Sequence, residues 1–99
     1  MKIQNMTSPN GNKVANQFII YEEGHGANGN FIRRETFQSY SSVIAIKTVW
    51  NDRTDIVLDK DTWDYSVTTG KYRNQFLNED KKTTEKKIKS GEYKLKNLN

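Results

Sequence analysis

Three short runs rich in β-branched and aromatic residues set the strongest limit on how this chain can fold. The runs are "NQFIIYEE" (16–23), "SSVIAIKTVW" (41–50) and "IVLDK" (56–60). Each has the composition of a β-strand, and the stretches "GHGANGN" and "NDRTD" that follow the first two are rich in turn-forming residues. The sequence therefore predicts strands joined by short connections, the first of them a loop longer than the usual two residues, in an antiparallel sheet.

Two hairpins account for four of the predicted strands. The first joins 16–23 to "FIRRETFQSY" (31–40), and the second joins 41–50 to 56–60. Four strands in meander order are the result. The segment "EYKLKNL" (92–98) alternates apolar residues with lysines, which predicts a fifth strand at a sheet edge, because lysines on an edge discourage pairing with other chains.

The stretch "WDYSVTTGKYRNQFLN" (63–78) marks the change from strand to helix. Its apolar residues recur at spacings compatible with one helix face, which would be formed by Val67, Tyr72, Phe76 and Leu77. Ser66 is placed to cap the helix. A second short helix is predicted over "KTTEKKIKS" (82–90), with Gly91 as its stop. The predicted fold is α+β, with an antiparallel sheet of about four to five strands and one or two short helices.

Length and composition predict one small domain. The chain has 99 residues, and residues 1–12 hold its single proline together with several Asn, Ser and Gly residues. This composition predicts a flexible lead-in over 1–12 and a single α+β domain over 13–99. No cysteine and no apolar run of membrane length occur, which predicts a cytoplasmic protein.

Positive charge is concentrated at the C-terminal end. Residues 1–80 carry nine basic and ten acidic side chains, whereas 81–99 carry seven lysines against two glutamates. A local basic patch can attract a phosphate backbone, although lysine lacks the bidentate geometry of arginine. This patch gives an alternative function as a small nucleic-acid-binding protein, with contacts from Lys81, Lys82, Lys86, Lys87 and Lys89.

The residue types that carry catalysis are sparse and badly placed. His25 is the single histidine, and its glycine-rich loop holds no base or nucleophile at a fixed distance. Five aspartates lie close together in the chain but lack the spacing of a calcium loop, which indicates turn and capping roles for Asp52, Asp55, Asp59, Asp61 and Asp64. We therefore expect no enzyme activity, no catalytic residues, no cofactor and no metal site.

Several unusual strings resemble those of a known group of proteins. They are "FQSYSSVIA" (37–45), "WDYSVTTGKYRNQFL" (63–77) and "KKIKSGEYKLKNL" (86–98). The chain resembles small uncharacterised proteins of phages and mobile elements of Gram-positive bacteria, grouped as a domain of unknown function. The resemblance implies a setting, and no catalytic or ligand-binding residues.

That setting suggests a non-enzymatic accessory protein that binds and inhibits a host protein. Small cysteine-free domains without catalytic groups are often encoded by such elements, so the expected partner is a defence component and, as the specific candidate, a CRISPR effector. Polar groups of the first predicted helix would form the recognition surface, which comprises Lys71, Arg73, Asn74 and Asn78. One alternative stays open, in which Arg73 pairs with Asp61 or Asp64 and is structural.

Overall fold

The computed structural model describes residues 1–24 and 31–99, in which five strands are followed by two helices and a final strand. The elements are β1 (Lys2–Thr7), β2 (Lys13–Glu23), β3 (Arg33–Ser39), β4 (Ser42–Val49), β5 (Thr54–Asp59), α1 (Val67–Leu77), α2 (Lys81–Ser90) and β6 (Tyr93–Lys96). The predicted α+β class is confirmed, with six strands in place of the four to five expected.

All six strands form one sheet in the order of the chain. Neighbours from β1 to β5 are antiparallel, and β6 is parallel to β5. Both predicted hairpins are present, as β2–β3 and β4–β5, and β6 lies at the predicted edge. Its parallel direction requires a long crossover connection, which the chain segment with both helices provides. His25 lies in the connection 25–30, outside the described residues.

The sheet begins earlier than the sequence predicts. The segment 1–12, expected to be a lead-in, contains β1, in which Lys2 pairs with Tyr21 and Asn5 pairs with Phe18. Met6, near the end of this strand, is buried in the core at 6% exposure. A strand with so few apolar residues draws its stability from hydrogen bonds to β2 and from the burial of Met6, neither of which is visible in the local sequence.

One face of the sheet carries the hydrophobic core. Ile19, Phe37, Ala45 and Leu58 are paired across four adjacent strands and so point to the same face, which α1 covers. The ring of Phe76 from α1 lies 5.8 Å from that of Phe37, centroid to centroid. The buried apolar side chains of the core are Met6, Ile19, Phe37, Ile44, Ala45, Leu58, Tyr72, Phe76, Leu77 and Tyr93.

The second helix has a defined start and stop. The side chain of Asp80 accepts a hydrogen bond from the backbone N–H of Thr83, and Gly91 adopts φ +85° as the C-cap. The predicted stop at Gly91 is confirmed, because glycine takes this left-handed conformation without a side-chain clash. Of the described residues, no helix is both long enough and apolar enough to cross a lipid bilayer.

Candidate functional site

The start of α1 is set by its cap. Ser66 has an extended backbone, and its Oγ accepts a hydrogen bond of 3.1 Å from the N–H of Thr69, so the predicted cap is confirmed. Tyr72, Phe76 and Leu77 face the core as expected. Val67 does not.

The side chain of Val67 is 92% exposed, and the prediction that it shares the apolar face is wrong. Val67 precedes Phe76 by nine residues, which is about two and a half helical turns. The two side chains therefore point to opposite sides of α1.

Arg73 is buried within this region of the fold, with 1% exposure. Its Nη1 donates to the carbonyl oxygen of Trp63 at 2.7 Å and to Oδ1 of Asp64 at 3.1 Å, and its Nη2 donates to Oδ1 of Asn74 at 2.9 Å. The guanidinium also lies 5.3 Å from the ring centroid of Trp63. The expectation that Arg73 is an exposed contact residue is wrong, and the open alternative, a pair with Asp64, is what the structure contains.

Asp64 connects the two helices. Its Oδ2 lies 2.6 Å from Nζ of Lys81 at the start of α2, while its other oxygen accepts from Arg73. Partial burial opposes ionisation of this carboxyl, but the hydrogen bonds from Lys81 and Arg73 outweigh that effect and hold the pKa of Asp64 below its usual value. The carboxylate therefore stays charged and neutralises part of the surrounding positive charge.

An open depression of about 650 Å³ lies at this junction, and we call it the α1 depression. It is bordered by the segment before α1, the first turns of α1 and the first residue of α2. The lining residues are Asp64, Tyr65, Ser66, Val67, Gly70, Lys71, Arg73, Asn74 and Lys81. Exposed apolar surface and exposed positive charge thus occur side by side.

The structure brings three of the four predicted contact residues to the α1 depression. Lys71 is exposed on its wall, Asn74 is half-buried there, and Arg73 lies beneath the surface. Asn78 is at the other end of the helix, where it forms the left-handed C-cap with φ 56°. Tyr65, which is 49% exposed, is not among the predicted contact residues, because its position before the cap holds no signal of its orientation.

The lysines of α2 fall into two groups. Lys82, Lys86 and Lys89 are exposed at spacings of four and three residues, so they form one stripe, which we call the lysine face. Thr84 and Ile88 lie on the opposite, packed side of the helix. Of the five predicted nucleic-acid contacts, these three are free of any ion pair among the described residues.

The other two predicted lysines are engaged within the fold. Lys81 binds Asp64, and Nζ of Lys87 lies 2.9 Å from Oε1 of Glu79. The hydrogen bond that Lys87 donates to Glu79, together with the nearby Tyr93 hydroxyl, raises the pKa of Lys87 to about 12. Glu79 also accepts hydrogen bonds from Thr84 of α2 and Tyr93 of β6. These bonds connect α2 and β6 to the residues that follow α1.

The acidic run of 52–64 serves the turns around β5. Oδ2 of Asp55 accepts from Nε1 of Trp50 at 2.9 Å and from Nε of Arg53 at 3.2 Å. Asp59 accepts from the backbone of the turn after β5. Within residues 1–24 and 31–99, no three or more His, Asp or Glu side chains stand close enough together to hold a metal ion.

The model of one protein family matches residues 1–92 of this chain, and that family is described as a family of unknown function, DUF8033. The chain belongs to DUF8033. This membership confirms the resemblance to an uncharacterised family, and it extends over β1, which the resemblance did not cover. Neither the curated proteins nor the solved structures contain a match to the chain.

Proposed function

We propose that this DUF8033 protein is a non-enzymatic binding protein that engages a protein partner at the α1 depression. The observation that carries this proposal is the exposure of two apolar side chains, Tyr65 and Val67, beside the ammonium groups of Lys71 and Lys81. Val67 contributes little to the stability of the fold, because nearly all of its side chain faces solvent. Aromatic and apolar surface beside positive charge is a combination that a protein partner can cover and complement.

Charge identifies the partner's chemistry. Lys71, Arg73 and Lys81 contribute three positive charges to the α1 depression, and Asp64 contributes one negative charge. The N-terminus of α1 adds partial positive charge on the same side. A complementary partner surface is therefore acidic and carries an apolar side chain that can cover Val67 and Tyr65.

The biological setting we propose follows from the resemblance to proteins of phages and mobile elements. In that setting the protein acts in the cytoplasm of the infected or carrier cell, and its partner is a host defence protein, with a CRISPR effector as the specific candidate. The small size and the absence of cysteine support this role by association. Inhibition would come from occupation of the partner's surface, which requires no chemical step.

The test compares a surface variant with a matched control in cells that carry CRISPR immunity. Val67→Asp with Lys71→Glu removes apolar surface and reverses a charge at the α1 depression. Lys60→Glu makes the same charge reversal at an exposed lysine outside it. We expect the parent and Lys60→Glu to restore plaquing of a targeted phage and to co-purify with the effector, and the double variant to do neither.

Two results would contradict this proposal at different levels. If the double variant inhibits as well as the parent, the α1 depression is not the contact surface. If the parent protects no phage from any defence system, the defence role is wrong. Circular dichroism melting of each variant checks that the fold is retained, which we expect because both altered side chains are exposed.

The lysine face supports a second candidate function, binding of nucleic acid. Lys82, Lys86 and Lys89 present three charges in one line, and Lys94 and Lys96 of β6 are exposed as well. Contacts to phosphates would make affinity fall steeply as salt concentration rises. The measurement is binding of generic duplex and single-stranded DNA at several salt concentrations. Absence of binding at low salt contradicts this function, and loss of binding in a Lys82→Gln, Lys86→Gln, Lys89→Gln variant supports it.

A further inference from the structure

The two edges of the sheet are protected to different degrees. At one edge, β6 exposes Lys94 and Lys96, which are residues that discourage pairing with another strand. At the other edge, β1 carries a single charged residue, Lys2, and exposes 60% of Ile3. No strand of the described residues pairs with the outer edge of β1.

The hydrogen-bond pattern identifies which backbone groups point outward from β1. The N–H of Gly24 donates to the carbonyl oxygen of Ile32, so even-numbered residues of β2 bond toward β3. Odd-numbered residues of β2 then bond toward β1, because the two directions alternate along a strand. Tyr21 and Ile19 are paired with Lys2 and Gln4. The groups of Ile3 and Asn5 therefore face away from the sheet.

We propose that the outer edge of β1 binds the same strand of a second copy of this chain, so that two six-stranded sheets join into one. The symmetrical, antiparallel arrangement centred on Gln4 places Ile3 opposite Asn5 of the second copy, and Asn5 opposite its Ile3. This register uses all four outward groups of Ile3 and Asn5 in each copy and forms four backbone hydrogen bonds.

Charge and space fit this occupant. In the register centred on Gln4, Lys2 lies opposite Met6 of the second copy, and no two like charges are opposed. The side-chain amides of the two Gln4 residues meet at the centre and can bond to each other. A depression of about 330 Å³, lined by Ile3, Gln4, Asn5, Thr7 and Lys13, lies beside β1 and leaves room for side chains of an added strand.

The small area of contact favours a weak dimer. Five paired residues of one strand, 2–6, give an interface below the roughly 1,200 Å² that stable complexes bury. We therefore expect a concentration-dependent dimer and not an obligate one. The backbone carbonyl of Thr7 already accepts a hydrogen bond of 2.7 Å from Nε2 of Gln75, which limits the pairing to the part of β1 before Thr7.

The experiment combines sedimentation with amide hydrogen exchange over a wide range of protein concentration. Exchange at Ile3 and Asn5 should slow as concentration rises, while exchange at Lys2 and Gln4, which bond to β2, should stay constant. Ile3→Pro removes one outward donor per copy and should weaken dimerisation by roughly thirtyfold, since two hydrogen bonds per dimer are lost. Ile3→Lys, which keeps the backbone donor, should prevent the dimer through charge on the edge.

Each possible result bears on the proposal. A dimer that both variants weaken, with melting temperatures close to that of the parent, supports it. A parent that remains monomeric up to about 1 mM, or a dimer that survives Ile3→Pro unchanged, overturns it. Protection of Ile3 and Asn5 that appears with a different protein, and not with concentration, also overturns it, because the occupant is then not a second copy.

Discussion

The carboxylate of Asp59 accepts a hydrogen bond from the backbone N–H of Leu98, which lies 39 residues further along the chain, with 2.7 Å between Oδ1 and N. Its other oxygen accepts from the N–H groups of Asp61 and Thr62 and from the Thr62 hydroxyl. One buried side chain thus ties the segment after β6 to the turn after β5.

Replacement of this carboxylate should be costly. Asp59→Asn keeps the size of the side chain but puts a donor among groups that also donate, so we expect the free energy of unfolding to fall by about 2 to 4 kcal/mol. The matched control is Asp61→Asn at the exposed neighbour, with an expected change within about 0.5 kcal/mol. Urea unfolding measures both. Equal effects of the two substitutions would show that the contacts of Asp59 contribute little.

Acid should destabilise the fold. Burial opposes ionisation of Asp59, Asp64 and Glu79, yet hydrogen bonds to each lower its pKa below the ordinary values of 3.8 for Asp and 4.5 for Glu. A carboxyl with a lowered pKa in the folded state stabilises it fully above the unfolded value, and this contribution is lost as pH falls through the folded value. Urea unfolding should give constant stability from pH 7 to about 5.5 and a decline below. The decline should be shallower in Asp59→Asn.

Two glycines should respond to alanine in opposite ways. A Cβ at Gly70 would lie 3.6 Å from Nη2 of Arg73, which is ordinary contact, and alanine favours the helix, so Gly70→Ala should stabilise by about 0.5 to 1 kcal/mol. Gly91 has φ +85°, so Gly91→Ala should destabilise by roughly 1 kcal/mol or more. Thermal unfolding compares them directly. A lower melting temperature for Gly70→Ala would mean that α1 has no room at this position.

Removal of Arg73 should lower stability. Arg73→Ala deletes hydrogen bonds to Trp63 and Asp64 and leaves their partly buried acceptor oxygens without this donor. We therefore expect the free energy of unfolding to fall by about 2 to 3 kcal/mol. Lys71→Ala, two residues away and exposed, should change stability by less than about 0.5 kcal/mol. Partner capture that is weakened in Lys71→Ala while its stability is unchanged would mark this lysine as a contact residue.

The core contact of α1 offers a fourth comparison. Phe76→Ala removes a buried ring that packs on Phe37 and should cost about 3 to 5 kcal/mol. Val67→Ala in the same helix should be almost neutral, because that side chain is in solvent. Chemical denaturation at one temperature gives both values. A small loss in Phe76→Ala would contradict the packing of α1 on the sheet.

Local patterns predicted the elements that local residues specify. The apolar runs indicated β2, β4 and β5, and Ser66 and Gly91 marked a helix start and a helix stop. β1 was missed because its polar residues form a strand only when β2 is present as a partner. The parallel direction of β6 was missed because alternation of side chains is the same in parallel and antiparallel strands.

The candidate site was harder to predict than the fold. Spacing on α1 predicted that Lys71 and Asn74 lie away from its core face, since that position depends on the helical period alone. Helical spacing failed for Arg73, whose long side chain reaches back ten residues to Trp63. It also failed for Lys81 and Lys87 of α2, whose ammonium groups form ion pairs with Asp64 and Glu79. Partners so far apart in the chain become neighbours only through tertiary folding, which residue spacing cannot specify.

The parallel return of β6 divides the protein into parts that can open separately. Each of the first five strands pairs with its neighbour in the chain, whereas β6 reaches β5 only after the chain has passed through α1 and α2. A fluctuation that releases α2, with its Glu79 contacts, would release β6 as well and uncover the edge of β5 at Ile56, Val57 and Leu58. The apolar edge of β5 is thus covered by two elements, α2 and β6, that bury only Thr84 and Tyr93 between them, so protease sensitivity should begin there.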